Sequence, residues 1–355
     1  MNQAWAEKNK TMQAKLRKEA SYREGIDVLL DLRNDLFQEI TAIVNTYPEE
    51  AFHRMPFPNA KGYHCKTLAY SMWHIFRIED IVLHTLIQND AQILFSGGWP
   101  EKIHSPIITT GNELAGEAIV AFSRQLSVRP LLEYCMQVKD STDAFLRTLE
   151  YRDLKRTFTE EDRTRLIESH CVSEEEAAFF LIDYWCGKDL RSLLQMPFSR
   201  HWIMHVEAMC RIKNKLCLLA RKGADPIAYC GLSCSHCFLK DWCGSCRTIY
   251  NTCSNAACSP DGICPNVKCG REKGLDGFYA CEELDHCTKG FYGNGKDGNA
   301  VKALAKFIRA HGKQELFAVL DHLHETYDFR KIQEILGYEP EEGLRILEAN
   351  RSHEN

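Results

Sequence analysis

The chain has 355 residues, 45% hydrophobic and 26% charged, with a net charge of −5. This is ordinary globular composition, over a length that accommodates two or three domains. The mild acidity argues against a nucleic-acid surface, which needs clustered Lys and Arg. The opening MNQAWAEKNKTMQAKLRKEA has no apolar export segment, and the most apolar stretch, AAFFLIDYWCG around Phe179, is short and interrupted by Asp183. A cytoplasmic protein that does not enter a membrane is expected.

From Ser21 to about Asn45, IDVLLDLRNDLFQEITAIV repeats its apolar residues at helical spacing, with Pro48 just beyond. A second helical run goes from about Lys66 to Gln88, and SGGWP at Ser96–Pro100 then breaks the chain into a loop. A third follows Pro130 to about Glu150, with shorter stretches at Glu160–Ser169 and Ser173–Trp185. The fourth long run extends from Phe198 to Arg221 and is ended by Gly223 and Pro226. Four long helices with polar connections predict an antiparallel four-helix bundle over residues 1–222.

Between 223 and 298 glycine and cysteine dominate, no helical period survives, and apolar bulk is too sparse for a self-sufficient core. Helical patterning resumes over 299–355 as VKALAKFIRA, ELFAVLDHLHE, KIQEILG and EEGLRILEA. The expected architecture is therefore mainly α: a bundle, a small metal-stabilised Cys-rich domain, and a short helical C-terminal tail packed with it.

The 17 cysteines are odd in number and lack an export signal, which argues against a disulfide framework. Six (Cys65, Cys135, Cys171, Cys186, Cys210, Cys217) are scattered singly and read as small buried hydrophobes. The other eleven fall between Cys230 and Cys287.

In the fourth long helix, SRHWIMHVEAMCRI places His201 and His205 four residues apart, on one face and a turn from each other. That spacing suits two imidazoles on one metal ion. His74 lies in the second helix within SMWHIFRIED, among the apolar positions Tyr70, Ile78 and Ile81. The segments WHIFRIED and RHWIMHVEAMCRI, on helices two and four, resemble the DinB-like (YfiT-type) superfamily. Its members are four-helix bundles that often bind a divalent metal through one His of the second helix and an H-x3-H pair of the last.

The resemblance covers roughly residues 21–222 and implies His74, His201 and His205 as ligands for zinc or nickel. Three neutral imidazoles leave a position open for water or substrate, as at catalytic zinc. Some relatives are thiol transferases, so the resemblance implies a small-molecule substrate, including a thiol, and a homodimer. Glu79 and Glu207 are near enough in sequence to orient an imidazole, although each reads more simply as a salt-bridged helix carboxylate.

The stretch YCGLSCSHC has the C-x3-C-x2-C spacing of the cluster loop in radical S-adenosylmethionine enzymes. Only 118 residues follow Cys237, without βα alternation, too few for the barrel such enzymes need. His236 also replaces the aromatic residue common before the last cysteine, and that reading is rejected. Two C-x2-C pairs, Cys234/Cys237 and Cys243/Cys246, instead indicate metal or cluster ligation.

The series CGLSCSHC, CGSCR, CPNVKC and ACEELDHC, with the helical tail, resembles a bacterial cysteine-rich domain family of unknown function over roughly residues 228–349. It implies Cys230, Cys234, Cys237, Cys243, Cys246, Cys264, Cys269, Cys281 and Cys287 as ligands. Cys253 and Cys258 are extras to the pattern, and His236 and His286 are available substitutes. All-thiolate sites suit zinc and, alternatively, an iron–sulfur cluster. From Asp225 to Asp297 seven Lys/Arg face nine Asp/Glu, which again argues against nucleic acid. Two functions remain open: a metalloenzyme using the histidines, or a non-catalytic interaction or redox-sensing protein using the cysteines.

Overall fold

A computed structural model describes residues 2–253, 256, 259 and 262–351. The protein is mainly helical, and no strand occurs among the described residues beyond an isolated bridge between Ile227 and Ser233. No helix among them is long and apolar enough to cross a membrane. The chain separates into two compact units, Met1–Lys213 and Asn214–Asn355.

The first unit begins with a helix that periodicity alone did not reveal, α1 (Gln3–Leu16). The Asn2 side chain caps it by accepting from the backbone of Ala4 and Trp5, and Trp5, Met12 and Leu16 are its buried residues. Next come α2 (Tyr22–Thr46), α3 (Leu68–Asp80) and α4 (Val128–Thr148), which pack on one another, and then α5 (Glu160–Glu168) and α6 (Glu176–Cys186). Every residue of α3 is buried. Burial on all sides suits its apolar majority and requires internal partners for Ser71, His74, Arg77, Glu79 and Asp80. The helix widens into π-type turns over Ile81–Gln88 and stops at Asn89, whose φ of 55° lies in the left-handed region. A second wide turn, Met196–Arg200, leads into α7 (His201–Arg221).

Charged residues lie at the centre of this unit. Arg33 of α2 is fully buried, donating in bidentate fashion to Glu79 at 2.7 and 2.9 Å and through Nε to Asp143 at 2.6 Å. Lys139 also reaches Asp143 at 2.6 Å, and the Trp202 indole donates to Glu79 at 2.8 Å. The donors on Arg33 and Trp202 satisfy both Glu79 oxygens, so a carboxylate without water access is tolerated. One network thereby ties α2, α3, α4 and α7 together.

The second unit opens with the Cys-rich loops and contains α8 (Pro265–Glu272), α9 (Gly295–His311), α10 (Lys313–Thr326), α11 (Phe329–Leu336) and α12 (Pro340–Ala349). Helix α8 interrupts a stretch where the sequence shows no helical period. The Cys-rich segment shares an apolar core with the C-terminal helices. Ile227, Phe278, Tyr279, Leu284 and Tyr292 join Val301, Leu304, Phe307, Ile308 and Leu316 in one buried cluster. Residues 223–298 look core-poor because the C-terminal helices supply the missing apolar surface. Gly231 shows how tightly they meet: its φ is +97°, and a Cβ there would stand 3.2 Å from Ala305. The glycine of CGL is thus demanded by both backbone conformation and close approach.

Candidate metal centre

His74, His201 and His205 converge. One ligand nitrogen from each lies within 4.8 Å of the other two, and among the described residues these form the one such group of His, Cys, Asp or Glu. Their ring centroids are 4.6–5.1 Å apart, and all three are buried.

Helix α3 fixes His74 with four side chains along one face. Arg77 donates to the carbonyl of Ile108, the Trp73 indole to that of Thr109, and the Tyr70 hydroxyl to that of Gly111. His74 takes the remaining carbonyl, with Nδ1 2.8 Å from Thr110 O. The spacing 70, 73, 74, 77 is one helical stripe, and it reads four consecutive carbonyls of an irregular segment. The carbonyl makes Nδ1 the donor, so His74 presents an unprotonated Nε2, as a metal-binding imidazole requires. Tyr70 lies parallel to the His74 ring at 5.4 Å, and Tyr63 meets His205 edge-on at 4.8 Å. Tyr70→Phe is expected to remove one of two donors to the Gly111 carbonyl, which keeps the backbone N–H of Leu114, and to cost ~0.5–1.5 kcal/mol in urea denaturation, with metal binding retained.

The other two histidines lie on α7, whose start is pinned by the bond between Trp202 and Glu79. Unlike His74, their rings lack protein partners: His201 Nδ1 and both nitrogens of His205 are buried without a hydrogen bond. Buried polar atoms ordinarily find a partner, and a cluster of orphaned imidazole nitrogens fits a cation. Burial holds the pKa of His74 down to about 4, and burial with mutual repulsion lowers His201 and His205 well below the ordinary value. The three rings are neutral at physiological pH.

They line a cavity of about 570 Å³ with Tyr63, Cys65, Lys66, Asn112 and the aromatic side chains of Phe180, Tyr184 and Trp185. No carboxylate lines it. Lys66, half-buried, stands over the Tyr70 ring at 4.7 Å, and burial lowers its pKa. Neither nearby carboxylate orients an imidazole: Glu79 is taken by Arg33 and Trp202, and Glu207 accepts from the backbone of Asn2. Nothing in the sequence marked Tyr63 or Lys66, because both reach the cavity from the irregular segment before α3.

The cysteines divide. Cys230, Cys234, Cys237, Cys243, Cys246 and Cys264 line a second cavity of about 570 Å³, inside the C-terminal unit. Cys253, outside the set drawn from the resemblance, lines it too. Cys269, Cys281 and Cys287 are placed elsewhere, packed in or against the core with the C-terminal helices. Lys289 stands 3.5 Å from the Cys269 sulfur and Lys273 stands 3.9 Å from that of Cys281. Cys258 lies outside the described residues. His236 has both nitrogens engaged, by Ser233 and Asp321 at 2.8 Å each, and clamps its loop to α10, while His286 is exposed. No disulfide links the described cysteines, and of the six scattered ones Cys135, Cys171 and Cys217 are buried and the others half-buried.

No protein-family model matches the chain, and no curated protein matches it significantly.

Proposed function

We propose that the N-terminal unit is a DinB-like antiparallel bundle of α2, α3, α4 and α7 that binds a divalent metal, zinc or nickel, through His74, His201 and His205. Its task is to activate a water molecule or a low-molecular-weight thiol, as in hydrolases and thiol transferases. The observation that carries this reading is the convergence of three buried, neutral imidazoles beside a cavity, with His201 Nδ1 and both nitrogens of His205 lacking a hydrogen-bond partner. When bound, such a metal supplies a Lewis-acid centre that favours the deprotonated form of a coordinated water or thiol.

The chain's own residues support that role. Thr110 holds His74 in the ligating tautomer. The absence of a carboxylate from the lining leaves the charge of a divalent ion uncompensated by protein, so an anion is favoured in the open position. Lys66 adds positive charge on the same wall, and Tyr63, Phe180 and Tyr184 offer apolar surface to the rest of a substrate. The Cys-rich unit is read as a metal-binding attachment.

The test is elemental analysis of the full-length protein, purified without chelator, beside His201→Ala. The variant is expected to contain about one equivalent less zinc or nickel. Identical content in the two proteins rules out the three-histidine site.

A further inference from the structure

We propose that the cysteine-lined cavity of the C-terminal unit binds an iron–sulfur cluster, with Cys246 and Cys253 among its ligands. This inference is independent of the histidine site.

Seven thiols face one space of about 570 Å³, brought there from the YCGLSCSHC loop, from Cys243 and Cys246, from Cys253, and from Cys264 at the start of α8. Number and spacing must be weighed together. A zinc ion holds sulfur at about 2.3 Å, so its four thiolates sit only about 3.8 Å from one another. Among the described residues the three histidines are the one group of three or more His, Cys, Asp or Glu placed to hold a single metal ion, and the thiols of this cavity form no such group. Thiols gathered around one cavity yet not placed to hold a single ion match a polynuclear group. A cluster puts iron and sulfide between its cysteines and so spreads four ligands over a larger tetrahedron.

The loops also present their sulfurs as acceptors. The backbone N–H of Leu239 points to Cys237 Sγ at 3.5 Å and that of Ser245 to Cys243 Sγ at 3.4 Å. Such N–H···S bonds stabilise thiolates and tune clusters. Cys264 is the N-cap of α8 and precedes Pro265, so its sulfur lies where the helix end favours negative charge. The cavity wall carries three cations, Arg221, Lys296 and Arg330, against two carboxylates, Asp297 and Glu334, a small positive excess beside the sulfurs. The excluded cysteines behave differently: Cys269 and Cys281 each have a lysine ammonium beside the sulfur, and neither lines the cavity. Cys246 and Cys253 are singled out because they lie among the other thiols that line the cavity: both are near Cys230, Cys253 is also near Cys237, and Cys246 is also near Cys234.

The experiment is anaerobic purification of the full-length protein, followed by reconstitution with ferrous iron, sulfide and a thiol reductant. Iron, acid-labile sulfide and the visible spectrum are then measured. Wild type is expected to hold iron and sulfide in about equal amounts, with a broad visible charge-transfer band. Cys246→Ser and Cys253→Ser are each expected to lose both to background, while Cys269→Ser and Cys287→Ser keep them. Labile sulfide cannot arise from a three-histidine ion, so this result is separate from the metal content of that site. Wild type without labile sulfide after reconstitution, whether zinc-loaded or metal-free, overturns the cluster. The wild-type measurement decides this even if a variant fails to fold. Full sulfide in both cavity variants overturns the ligand assignment.

Discussion

Arg33→Ala is expected to produce the largest loss of stability of any single substitution in the N-terminal unit, about 3–5 kcal/mol. The guanidinium is fully buried and serves four acceptors: the two oxygens of Glu79, one of Asp143 and the carbonyl of Phe198. Truncation leaves Glu79 without its counter-ion and Asp143 with Lys139 alone, in a region where neither carboxylate reaches water. Desolvation then acts without the compensating attraction, which is why breaking such a pair costs more than the pair itself contributes. At about 2–4 °C per kcal/mol for a unit of this size, the first thermal transition is expected to fall by roughly 6–20 °C. The charge-conserving Arg33→Lys is expected to recover only part, since an ammonium cannot serve both oxygens of Glu79 in a bidentate fork. An exposed pair such as Lys8 with Asp31 is expected to contribute far less. A thermal shift for Arg33→Ala no larger than that for Lys8→Ala contradicts this account.

Loading the histidine site is expected to stabilise the protein by about 2.7 kcal/mol when free zinc or nickel is 100 times its dissociation constant. The corresponding upward shift of the thermal transition is expected to vanish in His205→Ala. The apo-protein should carry an opposite acid signature. The pKa of His74 is depressed to about 4 in the folded chain, and those of His201 and His205 are depressed as well. Below about pH 6.5 the unfolded chain takes up protons that the folded one refuses. Stability is therefore fully present above that pH and is lost progressively as the pH falls toward about 4. His74 alone accounts for on the order of 3 kcal/mol over that window. Thermal denaturation of the apo-protein between pH 7.5 and 4.5, wild type against His201→Ala/His205→Ala, measures it. A steeper acid loss in the double variant than in wild type runs against the assignment of neutral, buried imidazoles.

The histidine triad was readable in part. The H-x3-H spacing places His201 and His205 on one face of α7, because helical geometry fixes that relation locally. Nothing local joins them to His74, more than 120 residues earlier. Only packing does so, through Glu79, which looked like a possible partner for an imidazole and instead holds Arg33 and Trp202. Tyr70 reads in sequence as one of the apolar positions beside His74, and Trp73 and Arg77 carry no assignment there. Their polar ends in fact bind carbonyls of a loop that carries no periodic signal. The helices at Gln3–Leu16 and Pro265–Glu272 escaped notice for a related reason: one buries only a sparse set of residues, and the other is a short piece between cysteines.

The sequence by itself determined the mainly helical class, the long helices, the two-histidine face of α7 and the crowding of thiols after Cys230, because each depends on spacing within a few residues. Tertiary structure alone decided which groups meet. It brought His74 to the pair, gave the Cys-rich segment a core borrowed from α9 and α10, and sorted the cysteines into those that share a cavity and those that do not. Along the chain Cys269 fits the ligand pattern and Cys253 is an extra to it, yet Cys253 lines the cavity and Cys269 does not. They differ because the path of the backbone turns one into the cavity and packs the other against the helices, and no local pattern encodes that path.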